Sequence, residues 1–306
     1  GLNFPTGKGY WSGLNEQWWA GNEFLYKSGN NADKIIFWAR LGPILITLLT
    51  IFFAYFWSKE LIGRWWALLP AFLFAFSPLV LAHGHYVTTD AGETLGVMLT
   101  IYFFIKYLQF PTNKNLVWAG LAFGLAQAIK FSAVLLIPYL FLLSIIFYFV
   151  RNNVPIYKYL WNTILVMAIG YAAVVYPLYL LTTWNYPIVK QVADTEAMIG
   201  DFRANFLSSL DILMAKSGLS RPFAEYLLGV LMVLQRSAGG NNAFFLGELS
   251  SHGWWYYFTL GYLMKESAPT LILVFLGTII SLWNIIRSFR LKLKDVYEKL
   301  LEYLTI

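Results

Sequence analysis

The sequence predicts an all-α polytopic membrane protein, a bundle of about seven transmembrane helices with an extracytoplasmic helical cap. Hydrophobic residues fill 58% of the 306 positions and charged residues only 12%, against roughly 25% charged in a soluble domain. The mean hydropathy of +0.58 reflects several uncharged runs. Runs of roughly 18 or more apolar residues are long enough to cross a bilayer as helices. We therefore assign residues 1–306 to one membrane domain.

Charge and cysteine content exclude several other functions. The net charge of +6 does not indicate nucleic-acid binding, because the Lys and Arg residues fall at the ends of apolar runs. The chain has no Cys, which excludes disulfides, thiolate catalysis and Cys-ligated metals. Membrane lipids are thus expected partners, and nucleic acid is not.

The first 34 residues are polar and aromatic, and we predict an outer juxtamembrane segment. Trp11 is one of the aromatic residues of this segment. Residues 14–26 can form an amphipathic helix in the headgroup layer, with Trp18 and Trp19 at the interface. A partly ordered surface loop fits the same composition equally well. Because the chain opens at Gly1 without Met and ends after an amphipathic run, we expect a piece of a longer protein.

Seven apolar runs predict the spans, six within 35–183 and one within 267–287. They cover residues 35–57, 65–82, 91–108, 116–129, 131–150, 159–182 and 267–286. The fourth run is shorter than the roughly 20 residues that a span needs, so it requires a thinned bilayer or a helix end sheltered inside the bundle. Residues 288–306 alternate basic and apolar positions, as in a cytoplasmic amphipathic tail or a connector to further spans.

Basic residues in short connections predict the orientation, because they mark the cytoplasmic face. Three connections on one side each carry two of them: Lys59 and Arg64, Lys106 and Lys114, Arg151 and Lys158. On the alternate side, the short connections carry only Lys130. The N-terminal segment, residues 77–93, Lys130 and the loop 184–266 are therefore predicted to lie outside the cytoplasm.

The long outer loop has helical periodicity in three stretches, 189–199, 202–214 and 224–235. Residues 239–242 form a turn cluster, and the aromatic run 254–257 predicts re-entry into the membrane. We expect this loop to form the cap.

A polar stretch between the second and third runs, residues 77–93, is the first candidate site. It carries no Lys or Arg but holds His83, His85, Asp90 and Glu93. Ser77-Pro78 indicates a helix end and Thr88-Thr89-Asp90 a capped helix start. Ionisable groups clustered at a membrane surface indicate function by default.

Each of these side chains has a functional and a structural interpretation. Asp90 can act as a base on an acceptor hydroxyl or hold a divalent cation, or it can simply suit the helix dipole. His83 and His85 can join Asp90 as metal ligands, although interfacial hydrogen bonding is the commoner role for such histidines. Glu93, one turn after Asp90, is a second carboxylate of the site or a residue at its edge.

Four outer-side cations lie near the ends of apolar runs: Lys130, Arg221, Arg236 and Lys265. Singly, each fits a surface charge, and Lys130 can snorkel to the headgroups. Together they suggest a site for a lipid phosphate, because lysine supplies a point charge and arginine forked hydrogen bonds.

Five segments in order resemble a known family: SPLVLAHGHYVTTDAGETL, GLAFGLAQAIKFSAVLLIP, RPFAEYLLG, GGNNAFFLGELSSHGWWYYF and KESAP. They are similar to polyprenyl-phosphate-dependent glycosyltransferases with a GT-C fold. Closest are the dolichyl-phosphate-mannose–protein mannosyltransferases and their bacterial relatives, including lipid A aminoarabinose transferases. The resemblance covers nearly the whole chain.

The resemblance implies inverting sugar transfer from a polyprenyl-phosphate donor to a protein or lipid/glycan acceptor, on the extracytoplasmic face of the plasma (inner) membrane. It places the family's Thr-Asp motif at Thr89-Asp90, its lysine at Lys130, and its Tyr-Tyr…Lys segment at Tyr256, Tyr257 and Lys265. Such a role fits protein O-glycosylation or cell-envelope assembly. The donor's leaving phosphate needs cations, or a divalent metal, to stabilise its charge.

The chain departs from the family pattern at two places. The acidic motif and His-Pro-Pro segment of the first outer loop are missing, so the resemblance places the principal base upstream of Gly1 and leaves this fragment inactive alone. His85 stands where several members carry arginine. Glu16 and Glu23 are alternative carboxylates.

Two rival functions remain open on the sequence. A transporter or flippase of a lipid-linked sugar would use the same outer phosphate site without making a bond. It fits less well, because no charged residue inside paired spans marks a midplane site. A purely structural membrane role explains the outer charges least.

Overall fold

A computed structural model describes residues 1–7, 9, 13–151, 154–202, 205–240 and 242–304, with backbone alone for 205, 285 and 288–304. Trp11 lies outside these residues. The described chain is almost entirely helical, and four of its helices are long and apolar enough to cross a membrane: Ala32–Ile62, Asp90–Gln109, Phe131–Arg151 and Ile156–Thr183. The all-α polytopic class is thus confirmed.

The membrane helices follow the predicted order. They are α2 (Ala32–Ile62), α3 (Leu68–Ala75), α4 (Pro78–His83), α5 (Asp90–Gln109), α6 (Asn113–Ile129), α7 (Leu136–Arg151, after a 3-10 turn Phe131–Leu135) and α8 (Ile156–Thr183, with a π-helical turn Tyr171–Val175). Before them, α1 (Gln17–Asn22) continues as a π-helical turn, Glu23–Lys27.

The outer loop and last helix complete the chain. They comprise α9 (Ile188–Ile199), α10 (Asn205–Ala215), α11 (Arg221–Gly239), the hairpin β1 (Ala243–Phe245) and β2 (Glu248–Ser250), α12 (Tyr257–Lys265) and α13 (Ala268–Leu304). The three loop helices agree with the predicted stretches. The antiparallel hairpin, which pairs Phe244 with Leu249, was not predicted.

Three elements differ from the predicted spans. The second span is two short helices: α3 ends at Ala75, just before Ser77-Pro78 as predicted, and Pro78 then starts a new helix. The fourth, α6, has 17 residues. The tail predicted as a separate segment continues the last helix without a break to Leu304.

Small residues let the central helices approach closely. A Cβ on Gly96 of α5 would lie 3.1 Å from the Cα of Ala126 in α6. On the other face of α6, Gly120 and Gly124 face Gly170 of α8, where a Cβ on Gly124 would lie 2.5 Å from the Gly170 carbonyl oxygen. Lipid gives apolar helices no hydrophobic reason to associate, so such close packing holds the bundle together.

The protein core lies where α5, α6, α7 and α8 meet. Its fully buried side chains include Phe104, Phe123, Leu140 and Val166. By contrast, the most apolar stretch of α2 is only 6% buried, so most of its side chains point away from the protein as lipid-facing residues do. α5 is therefore an interior helix, and its two ends carry the charged groups described below.

Candidate functional site

The start of α5 and the turn after α6 bring three charged side chains together. The Lys130 ammonium lies 2.7 Å from an Asp90 carboxylate oxygen and 3.0 Å from a Glu93 carboxylate oxygen. The hydroxyl of Ser132 donates a 2.5 Å hydrogen bond to the other oxygen of Glu93. Residues 40 positions apart in sequence thus form one cluster, which we call the Asp90–Glu93–Lys130 triad.

Helix geometry explains the arrangement. Asp90 and Glu93 are three positions apart in the first turn of α5, so they share a face. Thr89 occupies the N-cap position but makes no side-chain cap bond, so the predicted capping hydrogen bond is wrong. Lys130 has an extended backbone conformation (φ −154°) that interrupts the helical chain between α6 and the 3-10 turn.

A buried polar brace fixes the turn that carries Lys130. The amide of Gln127, fully buried in α6, donates to the Ala133 carbonyl at 2.7 Å, and its oxygen accepts from the Tyr226 hydroxyl at 2.6 Å. Gly229, one turn after Tyr226 on α11, leaves just enough room for the Phe131 ring. The outer-loop helix α11 therefore sits directly against this turn.

The triad carries an excess negative charge, because two carboxylates share one ammonium. Burial tends to lower the pKa of Lys130, but hydrogen bonds with Asp90 and Glu93 outweigh it and hold that pKa above its usual value. The side chains are 55% exposed for Asp90, 36% for Lys130 and 20% for Glu93. Asp90 is thus the carboxylate most open to a ligand.

A small apolar cavity of about 200 Å³ borders the triad between α2, α3, α4 and α5. Its polar lining residues are Thr47, Thr50, His83, Asp90 and Thr94. Phe74, Leu79 and Val80 form much of its apolar wall. Typical small-molecule pockets measure roughly 300–1,000 Å³, so this one has room for a group about as large as a sugar ring. His83 therefore lines the same cavity as Asp90.

The same apolar wall separates this cavity from a larger groove of about 680 Å³ between α3, α4, α12 and α13. Glu266 lies in this groove, where one of its oxygens accepts a 2.6 Å hydrogen bond from buried Ser77. Its other oxygen is buried and has no partner in the described part of the chain. Sequence reasoning did not select Glu266, although it lies in the KESAP segment that supported the resemblance.

The other predicted aromatic and histidine residues lie elsewhere. The ring of His85 packs against Tyr86, 4.6 Å between centroids. Tyr256 and Tyr257 pack against Phe245 of the hairpin, and Tyr257 and Lys265 line a third cavity of about 630 Å³. Leu79 of α4 lines this cavity as well as the two others.

The two predicted arginines do not converge on one point. Arg221 and Arg236 lie near opposite ends of α11, about 22 Å apart along the helix, so one phosphate cannot contact both. Arg221 donates to the Gln191 side-chain oxygen at 2.9 Å and to the Tyr186 carbonyl, within the outer loop. Only Lys130 among the four cations is placed against the carboxylates of the 77–93 stretch.

The part of the chain that the structure describes does not support the predicted metal site at Asp90 and His85. Among the described residues, no three His, Asp or Glu side chains gather as a metal site would require. Asp90 pairs with Lys130, whereas His85 stacks on Tyr86.

The opposite end of α5 carries a second ion pair. Lys106 lies 2.7 Å from a carboxylate oxygen of Glu60 at the end of α2, and Tyr102 donates a 2.8 Å hydrogen bond to the other oxygen. The Lys106 ammonium also lies 5.5 Å from the Tyr102 ring centroid. Here one carboxylate meets one ammonium, so the charges balance.

Comparison with known proteins gives one match. Residues 32–184, half of the chain, match the model of a family described as dolichyl-phosphate-mannose-protein mannosyltransferase. The match includes the whole Asp90–Glu93–Lys130 triad and both ends of α5. No curated protein and no solved structure matches.

Proposed function

The chain belongs to the dolichyl-phosphate-mannose-protein mannosyltransferase family, and from this premise we propose that it transfers a sugar from a polyprenyl-phosphate donor to a hydroxyl acceptor. The reaction takes place at the outer end of α5, beside the Asp90–Glu93–Lys130 triad. The acceptor is a protein or a lipid or glycan. The family and the apolar helices support the general class, a helical membrane glycosyltransferase of the GT-C kind.

One observation carries the proposal: a carboxylate pair shares a single lysine at the rim of a sugar-sized cavity. Because two carboxylates share one ammonium, the cluster has an excess negative charge. An excess carboxylate beside a cavity is an arrangement suited to proton abstraction. The adjacent 680 Å³ apolar groove has space for the first part of the donor's hydrocarbon chain.

The chemical step needs a base and a place for leaving-group charge. The acceptor oxygen attacks the anomeric carbon as the bond from that carbon to the phosphate oxygen breaks, which inverts the configuration. Asp90, the most exposed carboxylate of the triad, takes the acceptor proton. The polyprenyl phosphate departs as an anion, and Lys130 is the cation beside the cavity that offsets its growing charge.

Lys130 must partly exchange partners during this step. In the structure its ammonium contacts both carboxylates, so a donor phosphate has to compete with one of them. Ser132 already donates to Glu93 and can keep that carboxylate hydrogen-bonded when the ammonium turns to the phosphate. His83, which lines the same cavity, is placed to contact the sugar.

The orientation of the reaction follows from charge. Basic short connections lie at the α2–α3, α5–α6 and α7–α8 turns, which favours a cytoplasmic location for that side. The triad belongs to the opposite ends of these helices. We therefore propose an extracytoplasmic active face in the plasma (inner) membrane, with membrane lipids around the bundle.

Reconstituted full-length protein and a radiolabelled polyprenyl-phosphate sugar test the proposal. Label should appear in an acceptor fraction only with intact triad residues, and Asp90→Asn should abolish most of it. If wild-type protein moves the donor across the bilayer and never transfers the sugar, the transporter alternative replaces the enzyme.

A further inference from the structure

The buried face of α10 carries a second polar feature, away from the triad. Asp211 is fully buried, and neither of its carboxylate oxygens has a hydrogen-bond partner among the residues that the structure describes. The hydroxyl of Ser208, 3% exposed, also lacks one. Residues three positions apart share a helix face, so three unpartnered oxygen atoms lie together on one side of α10.

α10 packs against α11. On α11, Glu225 lies close enough to Asp211 that its charge adds to burial in raising the pKa of Asp211 to about 7. Glu225 itself accepts a 2.9 Å hydrogen bond from the Gln191 amide. The two acidic side chains are therefore electrostatic neighbours inside the cap.

The other polar side chains near Glu225 form hydrogen bonds with one another and with the backbone. Arg221 donates to Gln191 and to the Tyr186 carbonyl, and the Tyr186 hydroxyl donates to Asp194. Burial raises the pKa of Glu225, and the positive charge of Arg221 partly offsets this rise. None of these contacts involves Asp211, so the described side chains offer its oxygens neither a donor nor a cation.

A buried ionised carboxylate without partners is among the most costly arrangements in a protein. A shared proton between Asp211 and Glu225 would require a hydrogen bond between them, and neither Asp211 oxygen has one. A cation, by contrast, holds carboxylates that are near but not in contact. Carboxylate and hydroxyl oxygens are the ligands that hard divalent ions prefer.

We propose that Asp211, Ser208 and Glu225 bind a divalent cation, of the calcium type, between α10 and α11. Asp211 supplies both oxygens, Ser208 its hydroxyl oxygen and Glu225 a carboxylate oxygen, with water completing the shell. Calcium fits better than magnesium, because it takes six to eight oxygens and accepts bidentate carboxylates. Bound there, the ion fixes α10 to α11, the helix that braces the Lys130 turn through Tyr226.

The test uses full-length protein in detergent, stripped of metals by chelation, with calcium chloride as the only added ligand. Thermal unfolding is followed with and without calcium, and calcium binding is measured by equilibrium dialysis with ⁴⁵Ca²⁺. We expect wild-type protein to bind calcium and unfold at a higher temperature in its presence, as any ligand of the native state requires. Asp211→Asn should lose both effects, and Ser208→Ala should weaken binding severalfold.

Asp201→Asn, an exposed acidic residue of the same loop, is the matched control and should keep both effects. Asp90→Asn should keep them too, which separates this site from the triad and makes its failure independent of the proposed transferase. The inference is overturned if wild-type protein shows no calcium effect at millimolar concentration, or if Asp211→Asn retains it.

Discussion

The two ends of α5 carry the same kind of ion pair in different settings. At both ends a lysine lies 2.7 Å from a carboxylate on another part of the chain. At the inner end, Glu60 and Lys106 balance each other and Tyr102 occupies the remaining carboxylate oxygen. At the outer end, Lys130 serves both Asp90 and Glu93, beside a cavity.

The two pairs differ in position and in charge balance. Asp90 and Lys106 are 16 positions apart, about 24 Å along the helix, so the two pairs lie near opposite surfaces of a bilayer with a core of roughly 30 Å. The inner pair has no excess charge with which to act on a ligand. The outer one has a surplus carboxylate, open space and a lysine held by the Gln127–Tyr226 brace.

The largest expected contrast is between the two carboxylates. Asp90→Asn should lower the kcat of sugar transfer by about 10²–10⁴-fold, the usual contribution of a general base. Glu60→Gln keeps a hydrogen-bond partner for Tyr102 and should leave kcat unchanged. Radiolabelled transfer in proteoliposomes measures both; equal losses would remove the distinction between the two ends.

The lysines give the next contrast. Lys130→Met should reduce kcat by roughly 10²–10³-fold, as the loss of one charge-stabilising donor does elsewhere, with a smaller change in KM. Lys106→Met should alter neither value. Wild-type turnover by Lys130→Met would show that the leaving phosphate is stabilised by another group.

The tyrosines that support each end should differ in stability. Tyr226→Phe leaves the buried Gln127 oxygen without its donor, at a cost of about 1–3 kcal/mol in the free energy of unfolding. Tyr102→Phe affects a carboxylate that remains partly exposed and still paired with Lys106, so its cost should be smaller. Thermal unfolding in detergent measures both. A larger loss for Tyr102→Phe would contradict the brace.

The smallest effect concerns pH. Because the pKa of Lys130 is raised in the folded protein, the stability that this ion pair adds is complete below the unfolded lysine pKa of about 10.4. It disappears only as the pH rises through the higher folded value. The difference in unfolding temperature between wild type and Lys130→Met should therefore stay constant from neutral pH to mildly alkaline pH. A decline within that range would indicate a lowered pKa instead.

Much of this organisation was predictable from sequence. The order of apolar runs and the three loop helices agree with the structure, because hydrophobic length and helical periodicity decide them locally. Asp90, Glu93 and Lys130 were selected because charge is scarce in such a chain. No local sequence pattern predicts that they are in contact, because Asp90 and Lys130 are 40 positions apart.

What the sequence did not predict depends on tertiary contact. Gln127 and Tyr226 resemble ordinary interior residues, and only their mutual hydrogen bond identifies the brace. Arg221 resembles a phosphate ligand until its partners Gln191 and Tyr186 are known. Likewise, the hydrogen bond from Ser77 to Glu266 joins residues 189 positions apart, which no local pattern predicts.

A structure of the full-length protein with a non-hydrolysable phosphonate analogue of the donor would test most directly whether Lys130 binds the donor phosphate. We predict that a phosphonate oxygen lies within about 4 Å of the Lys130 ammonium, an ion-pair distance, with the sugar in the cavity beside Asp90. A donor bound elsewhere, with Lys130 still held by both Asp90 and Glu93, would contradict it.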